Sequence, residues 1–355
     1  KVKTKFGFIT SIFSLAIMLI FWFAGGFNWL DDLLRGVIDN SILRGLAYIG
    51  SLLLANSIIS LPLSIYSTFV IEEKFGFNKT TAKTFILDIF KSLILAVIIG
   101  GALLATVLWI FEIMGNNAWL YGWITVTIIS IILQFIAPTI IMPLFNKFTP
   151  LEDGDLKQAI MDYAKSVKFS LKNIFVIDGS KRSSKSNAFF TGFGKNKRIA
   201  LFDTLIEKHT IGELVAVLAH EIGHYKKKHI IINMAISIIH TGILFYLLSV
   251  FLNEAALYKA FFMNEMSLYT GLIFFGMLYS PIELILSIIL NMFSRKNEFE
   301  ADSFAVESTN KPDDMINALK KLSKDNLSNL TPHPFYVFLN YSHPQVLERI
   351  RNIKK

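Results

Sequence analysis

The sequence has no cysteine. That excludes a disulfide framework and a thiolate metal site, so any bound metal must be held by His, Asp or Glu. Charge is also scarce. Asp, Glu, Lys and Arg make up 17% of the 355 residues, against about a quarter in soluble domains. No internal repeat or low-complexity tract is present, which argues against a solenoid or a disordered linker protein. What remains is apolar: 53% of residues are hydrophobic and the mean hydropathy is +0.50.

The apolar residues fall in runs that match the roughly 20 residues needed to cross a bilayer. Six spans are predicted, over 6–27, 46–71, 92–114, 119–145, 230–252 and 267–293. Pro62, Pro138, Pro143 and Pro281 lie inside them, where kinks are expected and not breaks. The first run has no small-residue cleavage signal, so it reads as a span and not as a signal peptide. The expected division is 1–145 (four spans), 146–229 (a catalytic segment), 230–293 (two spans) and 294–355 (a second catalytic segment).

The net charge of +8 fits Lys and Arg beside membrane spans better than a nucleic-acid partner. Lys1, Lys3 and Lys5 precede the first span. Lys74, Lys79, Lys83 and Lys91 separate the second from the third. The segment 146–229 is basic, and Arg295 and Lys296 follow the sixth span. The opposite loops are poorer in Lys and Arg, so all the basic segments are expected on the cytoplasmic side.

Between the spans, 156–167 reads as a helix, and 173–177, 186–190 and 198–202 read as short strands. Thr210 and Glu213 form a capping box. It opens a helix whose Leu214, Val217, Leu218 and Ile222 make one apolar face. That helix carries His220-Glu-Ile-Gly-His224. Two histidines four apart point the same way and can bind one zinc ion, with Glu221 placed as general base. Alone, the pattern also fits a helix with two solvated histidines.

A catalytic zinc site needs a third protein ligand and keeps an open position. Residues 298–302 read Glu-Phe-Glu-Ala-Asp. Glu298 is the expected third ligand. Asp302, one turn on, is placed to accept a hydrogen bond from a ligand histidine. Glu300 is expected to face solvent, and His229, after three lysines, to lie at the headgroups. His209 and His333 read as loop residues, and His240 as a hydrogen-bonded residue within a span. Glu283 lies deep in the sixth span, where a carboxylate faces protein or water and not lipid.

Five further stretches carry a resemblance: Tyr66-Ser-Thr-Phe-Val-Ile-Glu-Glu-Lys-Phe-Gly-Phe-Asn78, Pro143-Leu-Phe-Asn-Lys-Phe-Thr-Pro150, Gly179-Ser-Lys-Arg-Ser-Ser-Lys-Ser-Asn-Ala188, Lys195-Asn-Lys-Arg-Ile-Ala-Leu-Phe-Asp-Thr204 and Tyr341-Ser-His-Pro344. With the histidine motif they make the chain resemble the type I CAAX prenyl endopeptidases. These are integral-membrane zinc proteases known for trimming farnesylated a-factor and prelamin A. The resemblance implies a mainly α polytopic protein, a bundle or barrel of transmembrane helices around a chamber, with a zinc-protease helical region and a small β-sheet. Members usually have seven spans, so a span ahead of the first is the expected difference.

The resemblance also implies roles. Asn187 and Ala188 match the strand that pairs with substrate. His343 and Arg349 match a C-terminal histidine and arginine that assist catalysis. Glu283 becomes a candidate for lining the chamber. The expected function is a zinc-dependent endopeptidase, with one Zn2+ per chain, cleaving near the C-terminus of CAAX-type peptides, prenylated or not. The expected setting is the endoplasmic reticulum in a eukaryote or the inner membrane in a bacterium, with peptide and bilayer as partners. Membrane-protein quality control is an alternative within the class. A non-catalytic chamber that binds polypeptides is an alternative outside it.

Overall fold

A computed structural model of the chain describes residues 2–191 and 198–355. Residues 195–197, which open one of the resembling stretches, lie outside the described residues. In chain order the helices are α1 (Val2–Phe23), α2 (Gly26–Arg35), α3 (Ser41–Tyr66), α4 (Ala82–Leu95), α5 (Ala102–Ile113), α6 (Ala118–Ile136), α7 (Met142–Phe145), α8 (Asp155–Ser166), α9 (Asp203–Lys208), α10 (Ile211–Lys226), α11 (His229–Phe251), α12 (Ala255–Ala260), α13 (Leu268–Thr309), α14 (Pro312–Asp325), α15 (Pro334–Asn340) and α16 (Val346–Ile353). The strands are β1 (Phe148–Pro150), β2 (Asn173–Ile177), β3 (Ala188–Thr191) and β4 (Arg198–Phe202).

Among the described residues, six helical stretches are long and apolar enough to span a membrane. They coincide with the six expected spans, with different ends. The first stops at Phe23 because Gly25 takes a left-handed φ of 74° that a side chain would resist. Residues to Arg35 then form α2. The third begins at Ala82, because the Thr81 hydroxyl accepts the Thr84 N–H and caps the helix. Lys83 and Lys91 therefore sit on α4 and not in the preceding loop. Two of the prolines lie in or near π-helical turns: Ser67–Glu72 begins five residues after Pro62, and Ala137–Ile141 contains Pro138.

The chain divides into two compact units, Lys1–Leu133 with Ser237–Pro281 and Gln134–Ile236 with Ile282–Lys355. In the first, a core of Phe27, Tyr48, Leu108, Phe261 and Phe274 gathers α2, α3, α5 and α13. Asp31 is fully buried there, bonded to Arg35 Nε at 2.7 Å and to the Tyr269 hydroxyl. His240 bonds the Tyr279 hydroxyl at 2.9 Å, as a polar residue within a span should.

The second unit holds a four-stranded sheet in the order β1-β2-β4-β3. β2 and β4 are parallel, and the other pairs are antiparallel. Strands 173–177 and 198–202 lie where the alternation placed them. β1 was not expected, because three residues are too few to show a period. One face of the sheet packs on a core that includes Ile174, Ile199, Leu201, Leu205, Leu214, Leu218 and Ile222. Helix α13 runs on to Thr309, since no Gly or Pro follows Pro281 within it. Glu298 and Asp302 thus lie on the same continuous helix as the sixth span.

Candidate metal centre and active site

Helix α10 is fixed at its start. The Thr210 hydroxyl accepts the Glu213 N–H at 3.3 Å, and the Glu213 carboxylate accepts the Thr210 N–H at 2.8 Å. Lys321 of α14 donates to the same carboxylate at 2.6 Å. Leu214, Leu218 and Ile222 are buried in the core, which turns His220 and His224 toward α13. Gly223 permits the contact between the two helices. A Cβ there would meet the Ala301 Cα and carbonyl oxygen at 3.1 Å, and those are backbone atoms that cannot swing aside.

That close approach brings three donors together. His220 Nε2 and His224 Nε2 are 3.2 Å apart. Glu298 Oε2 lies 3.5 Å from the first, and Glu298 Oε1 lies 3.3 Å from the second. Donors each about 2.1 Å from a tetrahedral ion stand about 3.4 Å apart, so the spacing matches one shared ion. Glu298 Oε2 is buried with no hydrogen-bond partner, and two imidazole nitrogens face each other. Both features leave lone pairs that a cation would satisfy. The donor set of two imidazoles and a carboxylate fits a metal with an open position.

The surroundings reinforce this. His220 Nδ1 bonds Asp302 Oδ1 at 2.9 Å, and Asp302 is fully buried. Arg349 grips Asp302 through Nε at 2.7 Å and Nη2 at 2.6 Å. Its Nη1 lies 3.4 Å from Glu298 Oε2. Burial works against a charged His220, yet the hydrogen bond to Asp302 and the nearby Glu298 carboxylate outweigh it and raise its pKa to about 9. The pocket therefore favours positive charge. For Glu221, burial raises the pKa above the ordinary carboxylate value, against the pull of both histidines.

A cavity of about 350 Å³ opens beside these groups, lined by Asn187, Ala188, His220, Glu221, His224, Glu298, His343 and Arg349 among others. Strand β3 begins at Ala188 on an edge of the sheet. The exposed Asn187 accepts the Ala188 N–H through its own side chain at 2.9 Å. His343 places Nε2 3.4 Å from Glu298 Oε1 while 66% of its side chain is exposed. Glu283 stands apart. It is exposed on α13, 15 positions before Glu298, and does not line this cavity.

Two residues at the centre differ from expectation or were missed. His229, expected at the headgroups, has its ring enclosed by protein. It is 2% exposed, with Nδ1 3.0 Å from His224 Nδ1 and Nε2 3.2 Å from Glu300 Oε2. Glu300 keeps 39% of its side chain exposed, as expected, while its Oε1 lies 3.7 Å from Lys296. Arg295 donates to the Tyr341 carbonyl at 2.5 Å and to the Val337 carbonyl at 3.4 Å, tying the chain ahead of His343 to α13. Its only signal in sequence is that it precedes Glu298 by three on one helix face. His209 is buried against the Leu205 carbonyl, and His333 caps α15 by accepting the Phe335 N–H.

Residues 1–147 match the family described as CAAX prenyl protease N-terminal, five membrane helices, and residues 150–355 match peptidase family M48. CAAX prenyl protease 1 of Saccharomyces cerevisiae is 38% identical over 99% of this chain and 83% of its own length. The Arabidopsis thaliana homolog is 39% identical over 99% and 84%. The Homo sapiens homolog is 36% identical over 89% and 74%. The crystal structure of S. mikatae Ste24p, 38% identical, superposes with a TM-score of 0.94 over 99% of this chain and 86% of that one. The chain is accordingly a mainly helical, membrane-embedded metalloendopeptidase that belongs to peptidase family M48, with the membrane helices of the CAAX prenyl proteases ahead of its peptidase segment.

Proposed function

We propose that the protein is a zinc-dependent endopeptidase that cleaves near the C-terminus of CAAX-type peptides, prenylated or not at their cysteine. The relatives' names supply the substrate class. The observation that carries the chemistry is the mutual spacing of His220 Nε2, His224 Nε2 and the Glu298 carboxylate. These three would hold one zinc ion. Bound there, zinc would act as a Lewis acid on the scissile carbonyl and lower the pKa of the attacking water.

The chain's own groups do the rest. Glu221 directly follows His220, three positions before His224, and lines the same cavity. It takes the proton from the attacking water and returns it to the leaving amine. Burial raises its proton affinity, which suits a group that must hold a proton between the two steps. An extended substrate pairs with β3, the edge strand of the sheet among the described residues, beside Asn187 and Ala188. Main-chain pairing of this kind presents a straight backbone to the catalytic groups. His343, exposed beside Glu298, donates to the carbonyl oxygen as it gains charge. Arg349 holds Asp302, and through it the ring of His220.

The basic segments support a catalytic face on the cytoplasmic side, of the endoplasmic reticulum in a eukaryotic cell or of the inner membrane in a bacterium. Glu283 faces a water-filled chamber in this reading. Purified enzyme given prenylated and unprenylated CAAX peptides, with mass spectrometry of the products and metal analysis, tests the whole. A metal content other than one zinc per chain, or no C-terminal cleavage of either peptide, would overturn it.

A further inference from the structure

The two ligand histidines are held by different devices. A nitrogen that faces a metal must be unprotonated, so in a neutral imidazole the proton sits on the other ring nitrogen. For His220 that is Nδ1, which donates straight to the buried Asp302 at 2.9 Å. For His224 it is also Nδ1, but the group it meets at 3.0 Å is another imidazole nitrogen, His229 Nδ1. Two protonated nitrogens cannot share that contact. His229 must accept there, which leaves its proton on Nε2. That atom faces Glu300 Oε2 at 3.2 Å. The polarity of the row is therefore forced from end to end: His224 donates to His229, and His229 donates to Glu300.

The contact is built into the fold. His229 is five positions after His224, and residues five apart do not face each other on a helix. The chain brings them together by ending α10 and taking a left-handed turn at Lys228, φ 61°, before α11 starts at His229. The His229 ring is buried and stands at 70° to the His224 ring. Glu300 shares α13 with Glu298, and Lys296, one turn back on that helix, lies 3.7 Å from Glu300.

We propose that His229 is a positioning residue for the metal centre. It fixes the tautomer and ring plane of His224 as Asp302 does for His220, and Glu300 fixes His229. The inference rests on the reading of His224 as a ligand. Its test uses full-length protein in detergent and zinc dissociation constants from chelator competition. Visible spectra of the cobalt-substituted protein supply a second readout.

His229→Leu fills the space without an acceptor. It should weaken zinc binding about 10–100-fold, the usual range for partners of metal-ligating histidines, and shift the cobalt bands. His229→Gln can accept from His224 through its carbonyl and donate to Glu300 through its amide, so it should recover most of that loss. Glu300→Gln should weaken binding less than His229→Leu. Zinc affinity and cobalt spectrum unchanged in His229→Leu, while His224→Ala loses the metal, would overturn the proposal and leave the ligand assignment standing. Gln as weak as Leu would reduce His229 to a packing residue and also overturn it. Metal retained in His224→Ala would instead overturn the ligand assignment.

Discussion

Asp31 in one unit and Glu298 in the other are both buried acids, yet they do opposite things. Asp31 is fully enclosed and both its oxygens are met, one by Arg35 and one by the Tyr269 hydroxyl. Glu298 is 5% exposed, and its Oε2 has no hydrogen-bond partner although Arg349 stands 3.4 Å away. A buried, satisfied carboxylate holds a fold together. A buried carboxylate with a spare lone pair, facing two imidazole nitrogens, is an incomplete coordination shell. Burial of charge is common to the two; only the unmet lone pair marks the site.

The units differ in the same sense on a larger scale. Helix α1 in the first unit has no buried residue, and Phe8, Ile20 and Phe23 are more than two-thirds exposed. Its apolar surface suits lipid, which is as apolar as a protein interior. In the second unit Ile160, Leu205, Leu214 and Leu218 are at most 2% exposed and form a core of the ordinary soluble kind. Hydrophobicity therefore marks an exposed surface on α1 and a buried core among these residues of the second unit.

Substitutions on the two sides sharpen this contrast. The largest effect is expected at Glu221. Glu221→Gln keeps the shape but cannot take a proton, so turnover should fall about 10²–10⁴-fold while zinc content and melting temperature hold. Turnover close to that of the unaltered enzyme would show that another group is the base.

Asp31→Ala should do the reverse. It strands Arg35 beside a buried hydroxyl, and breaking a buried ion pair costs about 3–5 kcal/mol. Thermal stability in detergent should drop while turnover per folded, zinc-loaded molecule is kept. Loss of turnover without loss of stability would make Asp31 a functional residue and collapse the comparison.

Gly223→Ala tests the joint that makes the site. The new methyl meets the backbone of Ala301 and the Phe304 ring. Overpacking of this kind costs about 1–3 kcal/mol. It should also spread the donors, so zinc affinity falls together with stability. Equal affinity, measured by chelator competition, would show that the α10–α13 approach has slack.

Much of this was legible in the sequence, and the reasons are specific. The six spans, the strands at 173–177 and 198–202 and the capping box all rest on local periodicity or spacing, which the fold did not override. His220, His224, Glu298 and Asp302 were legible because each pair is one helical turn apart. His229 was not. Its contact with His224 depends on a left-handed residue between two helices, and the run of lysines before it suggested a headgroup position. Arg295 was hidden because its partners are backbone carbonyls, which carry no sequence signal. Gly223 matters through what packs on it, and a glycine in a helix says nothing of its neighbour.

The smallest effect concerns how α10 is anchored, and it depends on pH. Burial alone would raise the Glu213 pKa. The hydrogen bond from Lys321 and that from the Thr210 N–H outweigh it, so the folded pKa lies below the ordinary value of about 4.5. A depressed acid contributes stability above its unfolded pKa and loses that contribution as pH falls through the folded one. Glu213→Gln should therefore lower the melting temperature near neutral pH, by an amount on the capping scale of about 1 kcal/mol. The gap between the two proteins should begin to close below about pH 4.5 and vanish as pH falls through the lower folded pKa, where the unaltered side chain becomes neutral in the folded state too. No metal ligand titrates in this difference, because Glu213 lies two turns from His220 and, among the described residues, bonds Thr210 and Lys321. Melting curves of the two proteins from pH 7 down to pH 3 would check it. A gap that stays constant across that range would mean that the Glu213 charge does not hold the start of the metal-binding helix.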